Sequence, residues 1–469
     1  MDEIEAALKA FANFMWGPPL VLLLVGGGLF FVLYSRLLPY RHFGHALGIL
    51  RGKYDNADDD GDISHFRALS TALSGTLGLG NIAGVAVAIT AGGPGAVFWM
   101  WVTAVVGVAT KFYTCTLAIM YRGRDSAGDL QGGPMYVVRE GLGRRWWPLA
   151  TLFAVAGLIG TLPVFQVNQL VQLLREVVAV PQGWVSETSS FGFDISVGLI
   201  VLALVVLVVL GHIQRIGLVT SRLVPAMVLL YLGMTFAVLS QHLADIPAAL
   251  VRIVTDAFTG QAVAGGILGA VIVEGVRRGA FSNEAGIGTE VMAHGAARTR
   301  EPVREGLVAM LGPVIDTLLI CTCTALVVLV TGAWDGDGGG LTSDRGVSLT
   351  LNAYNTVMPV LAGPLLAIMV TLLSLSTILT FWYYGAKCLG FLCGAQVQHH
   401  YIWFYGTLIL IGSVVSLDTV LGLIDGMYAV MAIPTMTASL LLAPKVNAAA
   451  RDYFSRHRFR RKGDGVLPP

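Results

Sequence analysis

The stretch Gly75-Thr-Leu-Gly-Leu-Gly-Asn-Ile-Ala-Gly84 places four glycines inside an apolar segment that would otherwise predict one continuous helix. A second stretch, Gly275-Val-Arg-Arg-Gly-Ala-Phe-Ser-Asn-Glu-Ala-Gly-Ile-Gly288, repeats this arrangement. Both contain the pattern Asn-x-Ala-Gly, beginning at Asn81 and at Asn283, 202 residues apart. Because glycine costs about 1 kcal/mol relative to alanine in a helix interior, the two clusters predict two interrupted helices.

The composition around these stretches is that of a membrane protein. The 469 residues are 55% hydrophobic and 13% charged, with a mean hydropathy of +0.72, whereas soluble domains carry about 25% charged residues. A helical crossing needs about 20 apolar residues. We therefore predict an all-α membrane protein with about eleven transmembrane helices, at 14–38, 65–91, 95–121, 147–174, 195–211, 215–241, 263–292, 304–332, 361–389, 400–416 and 419–442.

The basic residues predict the orientation of these spans, because loops rich in Lys and Arg stay in the cytoplasm. With eleven crossings, 23 of the 30 basic residues fall on one face and four on the other. The N-terminus is therefore expected outside and the C-terminus in the cytoplasm. We expect an extra N-terminal helix and cytoplasmic loop at 1–60, five-helix repeats at 61–242 and 243–445, and a basic tail at 446–469.

The two glycine-rich spans occupy corresponding places in the predicted repeats. Five spans separate them in order, so they cross the membrane in opposite directions, and paired interrupted spans of this kind indicate an inverted-repeat transporter. Unwound backbone is tolerated at membrane depth only where it lines a protein cavity. Its carbonyl groups can then coordinate a cation. The alternative is that these glycines merely allow close helix packing.

The chain lacks the signatures of several other classes. It contains no P-loop and no His-Glu-x-x-His motif, so neither ATP-driven pumping nor zinc peptidase chemistry is expected, and we predict no enzyme activity. A net charge of +1 argues against a nucleic-acid partner. The five cysteines show no paired Cys-x-x-Cys spacing. No organic cofactor is expected.

Five blocks between about 65 and 390 are distinctive: Phe66-Arg-Ala-Leu-Ser-Thr-Ala-Leu73, Gly80-Asn-Ile-Ala-Gly84, Gly92-Gly-Pro-Gly95, Gly132-Gly-Pro-Met-Tyr136 and Arg278-Gly-Ala-Phe-Ser-Asn-Glu-Ala-Gly-Ile-Gly288. Together they resemble the alanine or glycine:cation symporters, also called the sodium:alanine symporter family. That resemblance implies the inverted-repeat fold shared with neurotransmitter:sodium symporters. It also implies sodium-coupled uptake of a small neutral amino acid (L or D) across a bacterial or archaeal cell membrane.

The resemblance also assigns roles to residues of this chain. It implies that residues 74–81 and 281–284 are the unwound segments. The implied sodium ligands are Ser74, Thr76, Leu77, Asn81, Ser376 and Thr377. The implied substrate-binding residues are Thr76, Leu77, Gly78, Gly80, Gln166, Phe281, Ser282, Asn283 and Glu284.

The sequence departs from the family pattern near the expected pocket. Gly78-Leu-Gly-Asn81 replaces the usual Gly-Thr-Gly-Asn, and Pro163 and Phe165 fall in a block that is commonly Gly-Asn-Met-Val. Thr380-Phe-Trp-Tyr-Tyr-Gly-Ala386 replaces Gly-Trp-x-Tyr-Tyr-Gly-Glu. The first two changes bear on substrate choice.

Ionisable residues inside spans are functional hypotheses by default. Glu284 has two interpretations: contact with a substrate ammonium or gate, or an ion pair with Arg277 or Arg278. Asp316 either shapes an ion path or bonds to nearby backbone. A proton-coupled transporter using Glu284 or Asp316, and a channel or non-transporting sensor, remain the alternative functions.

Overall fold

The computed structural model describes residues 2–185, 190–258, 267–334, 346–415 and 418–463. These ranges form a helical bundle with one short antiparallel ladder, in which Gly123–Arg124 pairs with Leu130–Gln131. The α-helices are Asp2–Met15, Pro18–Val21, Gly27–Tyr34, Leu38–Arg41, Phe43–Leu50, His65–Thr76, Val85–Gly92, Gly95–Met120, Pro134–Tyr136, Trp147–Gly160, Val164–Leu174, Phe191–Val209, His212–Leu239, Ile246–Asp256, Ile267–Asn283, Thr289–His294, Pro302–Ala309, Leu311–Pro313, Thr322–Val330, Val347–Asn355, Ala362–Cys393, Tyr401–Val414 and Asp418–Gly463. Wider π-helical turns occupy Leu22–Gly26, Gly80–Gly84, Val137–Leu142, Arg175–Ala179 and Val314–Cys321, and 3-10 turns occupy Arg144–Trp146 and Ala395–His400.

Nine of the predicted crossings correspond to helices long and apolar enough to span a membrane, within the part of the chain described. One of the nine is a bent pair. The other two predicted crossings contain shorter helices, Ile267–Asn283 with 17 residues and Tyr401–Val414 with 14. Residues 263–266 and 416 of those two predictions lie outside the described ranges. The all-helical fold is confirmed, and the number eleven stays a prediction.

The first broken helix consists of His65–Thr76 and Gly80–Gly92, which meet at an angle of 55°. The break is shorter than the expected 74–81, because the helix continues through Thr76 and only 77–79 separate the two parts. The Asn81 side chain shortens it: Asn81 Oδ1 accepts the Gly78 N–H at 3.0 Å, and the Gly78 carbonyl accepts the Asn81 N–H at 3.2 Å. These bonds replace helical ones that the bend removes.

The second broken helix consists of Ile267–Asn283 and Thr289–His294, with the break at 284–288. The expected segment 281–284 was wrong in position, because the helix extends through Asn283. The Glu284 N–H still reaches the Ala280 carbonyl at 2.9 Å, and Asn283 Oδ1 accepts the Ala285 N–H at 2.9 Å. Glu284 has a φ of 55°, a left-handed conformation that costs a non-glycine residue about 1–3 kcal/mol. Its surroundings must therefore hold it there.

The inner seal, as we call it, joins the chain before the first broken helix to the chain after the second. Ile63 and Ala297 form a parallel bridge, and the Arg298 N–H reaches the Ile63 carbonyl at 2.6 Å. The Arg122 guanidinium donates to the carbonyls of Gly295 at 2.8 Å, Asp60, Ala297 and Thr299. The seal, made of 60–63, 296–299 and Arg122, thus closes one end of the bundle between the two broken helices. That this end faces the cytoplasm stays a prediction.

The extra N-terminal helix packs at the opposite end of the second broken helix. Trp16 is buried, and its indole N–H reaches Asp425 Oδ1 at 3.0 Å. Arg277 forms an ion pair with the same carboxylate. Asp425 belongs to the last helix, Asp418–Gly463, which continues past Pro434 and Pro444. The predicted basic tail therefore begins inside a helix.

Candidate functional site

The first break lies against hydroxyl groups of the helix Ala362–Cys393. Thr377 Oγ1 donates to the Ser74 carbonyl at 2.9 Å, and Ser376 Oγ lies 3.5 Å from the same oxygen. Ser74 Oγ also bonds to Thr380 Oγ1. A methyl group on Gly78 would lie 3.3 Å from Thr377 Oγ1, so the glycine brings the backbone close to that hydroxyl. Carbonyl and hydroxyl oxygens are the ligands that hard cations prefer.

A second polar cluster joins the two broken helices through Asp316. Asn81 Nδ2 donates to Asp316 Oδ1 and lies 3.3 Å from Ser282 Oγ. Ser282 Oγ donates to Asp316 Oδ2 at 2.7 Å, and Thr317 Oγ1 donates to the same oxygen at 3.1 Å. Asp316 is fully buried and belongs to none of the ion pairs found in the described ranges. The Asp316 carboxylate thus bonds to side chains beside the first break. A bond to nearby backbone alone, one of the two interpretations from the sequence, does not account for its position.

Glu284 forms no ion pair with either arginine of its own helix, so that interpretation was wrong. Its carboxylate accepts hydrogen bonds from the hydroxyls of Thr289 and Tyr428. Arg277 pairs with Asp425, and Arg278 Nε lies 2.6 Å from Glu274 Oε1. The two hydroxyl bonds help to hold the left-handed turn at Glu284.

A small cleft, called the cavity below, lies beside the first break. Its walls come from the break and from three long helices, and they carry no charged side chain. A lining without charge suits an uncharged group. The lining residues are Leu77, Gly78, Asn81, Ile82, Met227, Val228, Tyr231, Ile320, Met369 and Leu373.

Four of the other predicted site residues, described next, do not line this cavity. Gln166 is half-buried on the helix Val164–Leu174, and its Oε1 has no hydrogen-bond partner within the described ranges. Asn283 lines a different small cleft, beside Gly107 and the N-terminal helix. Thr76 Oγ1 bonds to the Leu73 carbonyl of its own helix at 3.3 Å. Phe281 lies near Gly80, with its ring 5.0 Å from that of Tyr428.

The structure therefore brings most of the predicted sodium ligands together and divides the predicted substrate residues. Ser74, Ser376 and Thr377 are in contact, and Asn81 meets Ser282. Sequence reasoning missed three polar partners: Thr317, Thr380 and Tyr428. Thr380 had a signal, because it lies one helical turn from Ser376 and Thr377 and so shares their helix face. Thr317 adjoins Asp316, but its other partner, Ser282, is 35 residues away. Tyr428 is 144 residues from Glu284 and had no such signal.

Comparison with known proteins gives a match along nearly the whole chain. The family described as the sodium:alanine symporter family matches residues 1–464. The sodium/alanine symporter AgcS of Methanococcus maripaludis is 37% identical over 433 residues, covering 92% of this chain and 93% of that protein. The probable sodium/glutamine symporter GlnT of Bacillus subtilis is 33% identical over 463 residues, covering 97% and 91%. The putative sodium/proton-dependent alanine carrier protein YrbD of the same species is 32% identical over 490 residues, covering 100% and 94%.

Among solved structures, the crystal structure of MhsT in complex with L-phenylalanine resembles this fold. The TM-score is 0.59 at 12% sequence identity, and the match covers 83% of this chain and 98% of MhsT. At this identity the likeness concerns the fold alone. It confirms the inverted-repeat arrangement that the paired glycine clusters predicted.

Proposed function

The chain belongs to the sodium:alanine symporter family, and we propose that it couples the downhill entry of Na⁺ to the uptake of a small neutral amino acid of the alanine or glycine type. The proposal rests first on one observation. The broken backbone at 77–79 lies within reach of buried hydroxyls and a buried carboxylate, beside an uncharged cavity. Such a multi-pass protein resides in a cell membrane, and the inner seal is proposed to face the cytoplasm.

We propose one sodium site between the first break and the helix Ala362–Cys393. Its ligands would be the carbonyl oxygens of Ser74 and Leu77 with the hydroxyls of Ser376 and Thr377. The present contact between Thr377 Oγ1 and the Ser74 carbonyl, at 2.9 Å, supports this set because both oxygens already face each other. A Na⁺ ion between them would replace that hydrogen bond with two oxygen–cation contacts.

A second sodium site is proposed beside Asn81 and Asp316. Asn81 Oδ1 uses one lone pair for the Gly78 N–H and keeps another for a cation. The Thr76 carbonyl and the Ser282 hydroxyl complete the proposed set. Asp316 supports it because a buried carboxylate that belongs to no ion pair is stabilised by a bound cation. The cation would also fix the angle between the two broken helices.

The substrate would bind next to these ions. We propose that the backbone of Thr76, Leu77, Gly78 and Gly80 receives its carboxylate, where helix ends offer N–H groups and positive dipole. Phe281 and Ser282 are proposed to contact its other end, since Ser282 meets Asn81 and Phe281 lies over Gly80. Gln166, Asn283 and Glu284 are proposed to act less directly; Glu284, for example, holds Tyr428 against Phe281.

Coupling follows from this shared backbone. Ions that order 77–79 also order the carboxylate site, so Na⁺ raises substrate affinity and substrate raises Na⁺ affinity by the same factor. The two five-helix repeats, at 61–242 and 243–445, would then alternate between access from either side. For substrate to leave toward the cytoplasm, the inner seal must open.

Uptake into proteoliposomes tests the proposal. Labelled alanine and glycine should accumulate when Na⁺ is imposed outside, and replacement of Na⁺ by K⁺ should abolish accumulation. A panel of competing L- and D-amino acids would define the substrate. Uptake indifferent to Na⁺ would refute sodium coupling, uptake driven equally by a pH gradient alone would favour the proton-coupled alternative, and single-channel currents would favour a channel.

A further inference from the structure

Glu290 is a buried carboxylic acid that the proposed symport does not use. It lies in the short helix Thr289–His294, the inner half of the second broken helix, and its exposed fraction is 0%. No side chain of the described ranges bonds to either carboxylate oxygen; the polar groups beside them are the backbone N–H groups of Gly288 and of Glu290 itself. Burial destabilises an ionised carboxylate in such surroundings, because it removes the charge from water. Burial destabilises the protonated acid much less, because the protonated acid carries no net charge.

The groups around Glu290 do not supply a matching positive charge. They come from four elements packed about it: Lys111 and Cys115 on Gly95–Met120, Glu284 at the second break, Tyr384 on Ala362–Cys393, and Tyr428 on the last helix. Lys111 is the cation in this group, and it acts on Glu284 and Asp316 as well. One ammonium cannot neutralise three carboxylates. In the described ranges, the Lys111 ammonium forms no ion pair within 4 Å with any of these three carboxylates.

Glu290 differs from the other two carboxylates in its partners. Glu284 accepts two hydroxyl bonds, and Asp316 accepts bonds from three side chains beside the proposed sodium site. Tyr384, which faces Glu290, carries a buried hydroxyl that also lacks a partner in the described ranges. A metal cation at Glu290 would need further oxygen ligands. A proton can neutralise the carboxylate without them.

We propose that Glu290 is a proton-binding site that is occupied while the inner seal is closed and releases its proton to water when the seal opens. The proposal rests on the transport function given above and adds a proton to its cycle. No bond other than O–H breaks: the carboxylic acid becomes a carboxylate, and the proton passes to water on the side of the seal.

The position of Glu290 links it to that seal. Its helix ends at His294, whose Nδ1 lies 2.5 Å from Glu305 Oε1, and His65 Nδ1 bonds to the other oxygen of the same carboxylate. The next residue, Gly295, is held by Arg122 at 2.8 Å. Opening the seal therefore frees the end of the helix that carries Glu290. Water that enters there would solvate the carboxylate and favour release of the proton.

Infrared spectroscopy of the purified full chain tests the protonation directly. A protonated carboxylic acid gives a carbonyl stretch that an ionised carboxylate lacks, and this band shifts in D₂O. We expect the band in the wild type and its loss in E290Q. The matched control is D194N, because buried Asp194 is ion-paired with Arg175 at 2.8 Å and should contribute no such band. A wild type without the band, or an E290Q protein that keeps it in full, would overturn the proposal.

Uptake at controlled internal pH tests the role in transport. If Glu290 must release its proton through the opened seal in each cycle, the wild-type uptake rate should fall as internal pH is lowered, approaching about tenfold per pH unit once the internal pH keeps Glu290 protonated. E290Q imitates the protonated acid, so it should keep sodium dependence but show a slow rate that does not vary with internal pH. The same pH dependence in both proteins would overturn the proposal. Loss of sodium dependence in the wild type would instead refute the symport itself.

A third measurement separates a proton site from a structural ion pair. If Glu290 were ionised and balanced Lys111, E290Q would lower the melting temperature, and the double variant K111M/E290Q would recover it. We expect E290Q to melt at or above the wild-type temperature, because the amide removes the ionisable group. The pattern of loss and recovery would contradict the proposal even if E290Q failed to transport.

Discussion

Replacing Thr377 with valine tests the proposed sodium site with little change in shape. Thr377 is buried, and its hydroxyl lies 2.9 Å from the Ser74 carbonyl and 3.0 Å from the Leu373 carbonyl. Valine keeps the branched side chain and its preferred rotamer in a helix. T377V therefore removes one oxygen ligand and one hydrogen-bond donor and leaves the packing nearly intact.

The expected size of the effect of T377V follows from the hydrogen bond that the Ser74 carbonyl loses. A buried acceptor deprived of its partner costs about 1–3 kcal/mol. At about 1.4 kcal/mol per tenfold change, a comparable loss at a bound ion raises the Na⁺ concentration for half-maximal uptake by roughly 5- to 150-fold. Ser376 Oγ remains 3.5 Å from the same carbonyl and can move toward it, so we expect the lower part of that range.

The assay is alanine uptake into proteoliposomes as a function of external Na⁺. The matched control is T371V on the same helix, because Thr371 Oγ1 bonds at 2.7 Å to the Ala367 carbonyl of its own helix and does not reach the break. T371V should keep the wild-type Na⁺ dependence. Equal Na⁺ dependence in T377V and wild type, with both proteins folded, would refute the assignment of this hydroxyl.

Three further outcomes are expected. G78A should impair sodium-activated uptake, because its methyl group would lie 3.3 Å from a hydroxyl of the site. The control G84A should transport normally, because no atom lies within 4 Å of the added carbon. Equal activity of the two variants would contradict the close approach at Gly78. R122A removes charged donors from the inner seal, so hydrogen exchange there should accelerate at least about tenfold, and unchanged exchange would contradict the clamp. W16F removes the indole donor to Asp425 at 3.0 Å and should lower the free energy of unfolding by about 1–3 kcal/mol; an unchanged melting temperature would show that this bond is dispensable.

The sequence predicted both helix breaks because glycine clusters in apolar spans are unusual and these two recur in corresponding places. It did not predict where each break ends. The side chains of Asn81 and Asn283 cap backbone N–H groups at 3.0 Å and 2.9 Å, and these local bonds keep the helices intact for longer than glycine content suggests. Side-chain capping competes with unwinding, and composition alone does not measure that competition.

Contacts between distant parts of the chain account for most of the remaining differences. Asn81 and Asp316 are 235 residues apart, and Glu284 and Tyr428 are 144 apart. Sequence proximity favoured Arg277 and Arg278 as partners of Glu284, but both arginines pair with other carboxylates, Asp425 and Glu274. Patterns along one helix describe neighbours three or four residues apart, whereas these partners arise only when the helices pack.

Equilibrium binding of radioactive Na⁺ to the purified protein tests the central claim most directly. If the first break holds ion and substrate together, alanine should raise the affinity for Na⁺, and Na⁺ should raise the affinity for alanine by the same factor. Sodium binding that is identical with and without alanine, in a protein that binds alanine, would contradict the account.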